Sequence, residues 1–232
     1  MADQVYDLGN ARSSGDSDWM SFTVFEVGIL LSGIAAVGAV VSAIMGLIGV
    51  STLILGAAAT VSAGVAMLTE GGAHAAGVVS RRRPSGPGIQ AAGDGRREME
   101  MVGGFGLQAL TGLAAIVMGI FSIMGYNPSI LLSVSALVMG AGLIATGISL
   151  VRRNAGGPKP SRTQGPRTGT LSLSQSNGAL ELIIGIAAGV FGILGLATGY
   201  PLTFALVAIL AIGAAVFFNG TSMATKLFGV GD

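Results

Sequence analysis

Cysteine is missing from this sequence and charge is scarce. Because none of the 232 residues is cysteine, the chain can form no disulfide, thiolate metal site or cysteine nucleophile. It has one histidine, His74, and therefore no multi-histidine metal site of its own. Charged residues make up 10% of the chain, whereas a soluble domain carries about 25%. Such a chain has too few charges to cover a surface that faces water.

Charged side chains are absent from three long stretches, 27–69, 101–151 and 182–225. One membrane-spanning helix needs about 20 apolar residues, so each stretch fits two helices joined by a tight turn. Glycine and proline place those turns at 49–51, 125–128 and 199–201. The predicted fold class is an all-α integral membrane protein with six transmembrane helices in three tandem helical hairpins. The predicted spans are 23–48, 51–69, 103–125, 129–151, 179–198 and 202–222.

The remaining sequence divides the chain into hairpins, loops and tails. Two segments between the hairpins are rich in Gly, Pro, Ser and Arg, a composition typical of flexible linkers. We therefore expect an N-terminal tail, hairpin 1, a flexible loop, hairpin 2, a second flexible loop, hairpin 3 and a C-terminal tail. The corresponding ranges are 1–20, 21–69, 70–102, 103–151, 152–178, 179–225 and 226–232.

The cations predict the orientation. All twelve Lys and Arg residues lie in the tails, in the two long loops or at the adjoining helix ends, and the three tight turns have none. Since positive charge stays inside, both termini and both loops are expected on the cytoplasmic side. The clearest topology markers, which could also contact lipid headgroups, are Arg81, Arg82, Arg83, Arg152 and Arg153.

Short phrases recur along the hairpins. Gly33 and Gly112 are separated by the same number of residues as Gly46 and Gly125. The glycines of hairpin 2 match those of hairpin 3 at a second constant separation. Small residues let helices approach closely in lipid, within one chain or between chains. The candidate packing glycines are Gly33, Gly112, Gly119, Gly140, Gly147, Gly185, Gly189, Gly192, Gly213 and Gly220.

The glycine phrases resemble the short repeat of HdeD-type acid-resistance membrane proteins. The similarity covers 103–151 and 179–222 best, with Gly112-Leu-Ala-Ala before the turn proline Pro128 and Gly140 to Gly147 after it. The resemblance implies six spans built from hairpin repeats and a stress-related envelope role. It supplies no catalytic residues. We expect the chain in the cytoplasmic (inner) membrane of a bacterium.

Three polar residues lie near the starts of the first, third and fifth helices: Glu26, Gln108 and Glu181. One interpretation is a polar cluster around a pseudo-threefold axis that binds a cation or a proton, because ionisable groups within a membrane are often functional. The other is that acids at helix N-termini interact with the helix dipole in the interface.

Two further side chains carry expectations. His74 follows the second span and is expected to be solvated, although its ordinary pKa would also suit a pH sensor. Asn219 in the sixth span is expected to bond to a neighbouring helix or to backbone.

Nothing in the sequence indicates catalysis, a metal site or a cofactor, and we expect a protein that is not an enzyme. The leading hypothesis is a structural, self-assembling or accessory subunit of an envelope membrane complex. The alternative is a small-ion or proton channel or transporter. The expected partners are the lipid bilayer and either further copies of the chain or other membrane subunits, with no nucleic acid.

Overall fold

A computed structural model describes residues 27–28, 30–80, 92–155 and 173–227, and the side-chain surroundings of 27–28, 30–74, 103–152 and 178–219. Within these ranges the structure is helical, without strands. The helices are α1 (Leu30–Leu47), α2 (Thr52–Ser80), α3 (Ala92–Ile123), α4 (Pro128–Ala155), α5 (Leu173–Ala197) and α6 (Pro201–Leu227).

The predicted number and order of long apolar helices are confirmed. Each of the six helices contains a segment long and apolar enough to cross a membrane. The helices extend further than predicted at the loop side, because α2 continues to Ser80 and α3 already begins at Ala92. Residues 70–80 and 92–102 of the first predicted flexible loop are therefore helical, as are residues 152–155 and 173–178 of the second.

Tight turns join the helices in pairs. Gly49 and Gly125 have φ angles of 95° and 87°, in the left-handed region that glycine adopts without strain. Ser51 and Asn127, two residues further on in each turn, have φ angles of 42° and 37°. Every backbone hydrogen bond of the first turn recurs in the second turn, where Gly125 takes the place of Gly49. The two turns thus have the same local structure, and in this register Gly112 corresponds to Ala36 and not to Gly33.

The helices form an inner and an outer set. The inner helices α2, α4 and α6 contact one another and supply most of the large buried side chains, including Met67, Met139 and Ile209. The outer helices α1, α3 and α5 expose rows of apolar side chains, such as Ile34 and Ile183. In a bilayer these rows would contact lipid, since apolar residues around an entire helix are typical of a membrane span.

Each inner helix approaches one outer helix of another pair at a small residue. A Cβ atom added at Gly64 of α2 would lie 2.6 Å from the carbonyl oxygen of Gly112 on α3. One added at Gly140 of α4 would lie 2.8 Å from the carbonyl oxygen of Gly185 on α5. Gly213 of α6 lies against Ala36 and its neighbours on α1. The three helix pairs therefore contact one another in a closed ring.

Candidate functional site

The candidate site begins with a carboxyl group that the sequence analysis placed in a loop. Glu70 lies on α2, one turn beyond the buried Met67, and is itself buried at 6% exposure. We ended the second span at residue 69 because Glu70 is the first charge after a long apolar stretch. Since the helix continues for ten further residues, this side chain lies inside the bundle instead of in water.

Gln108 of α3 binds this carboxyl group. Its Nε2 donates a hydrogen bond of 3.1 Å to Oε2 of Glu70, and its own side chain is 1% exposed. The close approach of Gly64 and Gly112 brings α2 and α3 together one to two turns away, which positions the two side chains. Gln108 was a predicted member of a polar cluster, but its partner comes from the neighbouring helix pair and was not anticipated.

Glu181 is held on the other side of the site by Asn219. Nδ2 of Asn219 on α6 donates a hydrogen bond to Oε1 of Glu181 on α5, and both side chains are buried. The expectation that Asn219 bonds to a neighbouring helix is confirmed. The second carboxyl oxygen of Glu181, Oε2, is buried and has no hydrogen-bond partner.

These two pairs form one group. Asn219 also lies beside the carboxyl group of Glu70, and the two carboxyl groups are close enough to interact electrostatically. We call Glu70, Gln108, Glu181 and Asn219 the polar cluster. It joins side chains from α2, α3, α5 and α6 inside the bundle, where neutral amides donate the hydrogen bonds to both carboxyl groups.

The polar cluster lies toward the ends of the helices that lead into the long loops. Glu70 and Asn219 each follow the first residue of their helix by 18 positions, which is about 27 Å of helix. The hydrocarbon core of a bilayer is about 30 Å thick. The cluster is thus far from the tight turns, and buried apolar side chains of the inner helices fill the space between.

Glu26 lies outside the described residues, so the structure describes only Gln108 and Glu181 of the predicted set. In the register that relates the first two turns, Ser32 of α1 corresponds to Gln108. Ser32 is buried and its Oγ donates a hydrogen bond of 3.1 Å to the carbonyl oxygen of Ala66. On α1, the buried polar position is therefore occupied by a hydroxyl.

We expected His74 to be solvated, but the structure places it against other side chains. It lies half-buried on α2, one turn beyond Glu70, with its ring stacked on that of Phe105 at a centroid distance of 4.8 Å. Its Nδ1 and the carbonyl oxygen of Glu70 are 2.8 Å apart, so Nδ1 carries the donated proton. The histidine thus lies on the loop side of the cluster and in contact with its backbone.

Most of the predicted packing glycines do lie at close contacts within the chain. An added Cβ would meet an atom of another helix within 3.2 Å at seven of the ten positions: Gly112, Gly119, Gly140, Gly147, Gly185, Gly192 and Gly213.

At Gly33 and Gly189, in contrast, an added Cβ would meet nothing within 4 Å. These two positions point away from the neighbouring helices and do not set a close approach. Gly220 lies on α6, outside the residues whose surroundings are described. Because the close contacts are internal, the glycines need no second copy of the chain to explain them.

Of the five predicted topology arginines, the structure describes the side-chain surroundings of Arg152. Arg152 is exposed at the end of α4, and Arg153 follows it on the same helix. Arg81, Arg82 and Arg83 lie outside the described residues. Their assignment as topology markers stays a prediction.

The chemistry available to the polar cluster is ion binding. Within the described residues, no group of three or more His, Asp or Glu side chains could hold a metal ion. Two buried carboxyl groups beside two amides can, however, bind a proton or a monovalent cation, either of which would cancel the repulsion between them.

No protein-family model, curated protein or solved structure matches this chain.

Proposed function

We propose that this multi-pass membrane protein is not an enzyme and that it transports a proton or another small cation by means of the polar cluster. One observation carries the proposal: Glu70 and Glu181 are buried together between helices that have the length and composition of membrane spans. Transport is therefore favoured over a structural subunit.

The free energy of burial is the physical argument. An ionised carboxyl group is costly in a low-dielectric interior, and two adjacent ones add repulsion. Leucine at position 70 or 181 would avoid both costs and suit the surrounding apolar core. With both carboxyl groups buried there, the interior of the bundle can bind and release positive charge. A purely structural bundle does not need this ability.

The helix arrangement supports the proposal. We infer that the chain consists of three hairpin repeats around a pseudo-threefold axis. On the outer helix α1, buried residues lie at positions 32, 36, 39, 43 and 46. Buried residues with the same spacing lie from 108 to 122 in α3 and from 181 to 195 in α5. On the inner helices, Glu70, Thr146 and Asn219 occupy equivalent positions in the same register. The polar cluster lies at one level of this arrangement, near the ends of the helices that lead into the long loops.

The second candidate is a structural or accessory subunit of an envelope complex. The packed core of α2, α4 and α6 favours it, because buried side chains such as Met139, Ile209 and Ile212 fill the bundle between the cluster and the tight turns. Transport would therefore require the helix pairs to move apart.

Flux through liposomes tests the choice between the two. We expect wild-type protein to transport protons, Na⁺ or K⁺ down an imposed gradient, and Glu70→Gln and Glu181→Gln to abolish that flux. Thr146→Val is the matched control, since it alters the inner-helix position equivalent to Glu70 without touching a carboxyl group. Absence of flux for all three cations in wild type would contradict transport and favour the structural subunit.

We further propose the cytoplasmic (inner) membrane, with both termini and both long loops inside. Cysteines introduced at Ser85 and Ser161 should react with an impermeant maleimide only from the cytoplasmic side, and one at Asn127 only from the outside. Reaction of Ser85 and Asn127 variants from the same side would contradict six spans with this orientation.

A further inference from the structure

We infer that Glu70 and Glu181 together hold one proton, carried on Oε2 of Glu181, so that the ligand of the polar cluster is a proton and not a metal cation. The inference deepens the proposed function and rests on the same site. It depends on which of the four carboxyl oxygens have a hydrogen-bond partner.

Two of the four oxygens already accept hydrogen bonds from amides. Gln108 donates to Oε2 of Glu70, and Asn219 donates to Oε1 of Glu181. Oε2 of Glu181 is the one that is buried without any partner. A buried acceptor without a partner costs about 1–3 kcal/mol, and more when it is charged. A proton on this atom removes the negative charge of Glu181 and its repulsion with Glu70 in one step.

A metal cation fits the same atoms poorly. Hard cations are surrounded by about six oxygen ligands. Here two amide NH₂ groups direct the positive ends of their dipoles at the carboxyl groups, where a cation would have to bind. Within the described part of the chain, no third acidic or histidine side chain joins the pair to form a possible metal site.

Few other titratable groups lie around the pair among the described side chains. On α2, His74 lies one turn from Glu70 and bonds to its carbonyl oxygen. The described side chains of α1, α3 and α6 include no titratable group, and α4 has only Tyr126 before it in the turn and the exposed Arg152 at its end. Tyr200, in the last turn, is exposed as well. His74 is thus a basic side chain next to the pair, and the contact that the structure shows is with the backbone of Glu70.

Dicyclohexylcarbodiimide provides the test, because it adds covalently to carboxyl groups in their protonated form. Full-length protein in mild detergent would be treated with the reagent over a range of pH, and the labelled residue identified by peptide mass spectrometry. We expect the label on Glu181, decreasing as the pH rises and unaffected by exchanging choline chloride for NaCl or KCl. Glu181→Gln should lose the label and Thr146→Val should keep it.

Several outcomes would overturn the inference. Absence of label from Glu181, or label on Glu70 in its place, would show that Glu181 does not carry the proton. Protection of Glu181 by Na⁺ or K⁺ would identify a metal-cation site. If Glu181→Gln fails to fold, infrared spectra of wild type decide the question: a protonated carboxylic acid band must be present and must be lost at high pH.

The labelling and the flux assay fail independently. Label on Glu181 without any flux would support the shared proton and contradict transport. Flux of Na⁺ or K⁺ without label would retain transport and reject the proton as ligand.

Discussion

The contact between α2 and α3 and the contact between α4 and α5 have the same backbone packing but different chemistry. Each centres on a glycine pair, Gly64 with Gly112 and Gly140 with Gly185, and the two glycines of each pair lie too close together for a side chain. Six residues after the inner glycine, α2 carries Glu70 and α4 carries Thr146.

The two side chains satisfy their polar atoms in different ways. Oγ1 of Thr146 donates a hydrogen bond of 2.7 Å to the carbonyl oxygen of Gly142 on its own helix. Glu70 has no such local option, since a carboxylate only accepts, and it bonds across the interface to Gln108. The comparison teaches that glycines fix how the helices approach, whereas single side chains at one level decide whether an interface holds a charge.

Filling a glycine contact should have the largest effect. Gly64→Leu would place its Cβ 2.6 Å from the backbone of α3, where no flexible atom can move aside, and the two helices would have to separate. Overpacking typically costs about 1–3 kcal/mol, and lipid provides no compensating hydrophobic gain. We expect aggregation, or a large fall in melting temperature, by size-exclusion chromatography and thermal unfolding in detergent.

Gly33→Leu is the matched control, because an added Cβ there meets nothing within 4 Å. It should elute and melt like wild type. Equal behaviour of the Gly64 and Gly33 variants would contradict the close contact of α2 with α3. Gly189→Leu, a substitution that the sequence pattern alone would select as disruptive, should resemble Gly33→Leu.

Removing the amide partner of Glu70 should have an intermediate effect. Gln108→Leu leaves Oε2 of Glu70 without its donor, at a cost of about 1–3 kcal/mol. Replacing both partners should recover much of the loss, because an apolar pair leaves no buried group unpaired. A double-mutant cycle of Gln108→Leu and Glu70→Leu, measured by denaturant unfolding, should therefore give a coupling energy of about 0.5–3 kcal/mol. Strict additivity of the two substitutions would show that the bond does not contribute.

Thr146→Val should have the smallest effect of the series. The substitution keeps the shape and removes one hydrogen bond within α4, so we expect a loss of about 1 kcal/mol or less. The same unfolding measurement applies. A loss as large as that of Gln108→Leu would mean that Thr146 also bonds across its interface, and the contrast between the two contacts would disappear.

Much of the fold could be predicted from the amino-acid sequence. Each charge-free stretch is long enough for two spans, and glycine and proline mark where each turns back, so six helices and three tight turns follow. The arrangement of those helices could not be predicted. They are apolar on every side, so hydrophobicity does not indicate which helices lie inside the bundle and which lie outside.

For the same reason the sequence located only part of the candidate site. Gln108, Glu181 and Asn219 stood out as polar residues within or beside apolar spans, whereas Glu70 read as the start of a loop. A charge at the edge of an apolar stretch can end a helix at the membrane surface or lie buried within its last turns. Amino-acid composition determined the spans because the bilayer selects for length and hydrophobicity. Only tertiary structure decided that α2 continues past Glu70 and that α3, α5 and α6 surround it with two amides and a second carboxyl group.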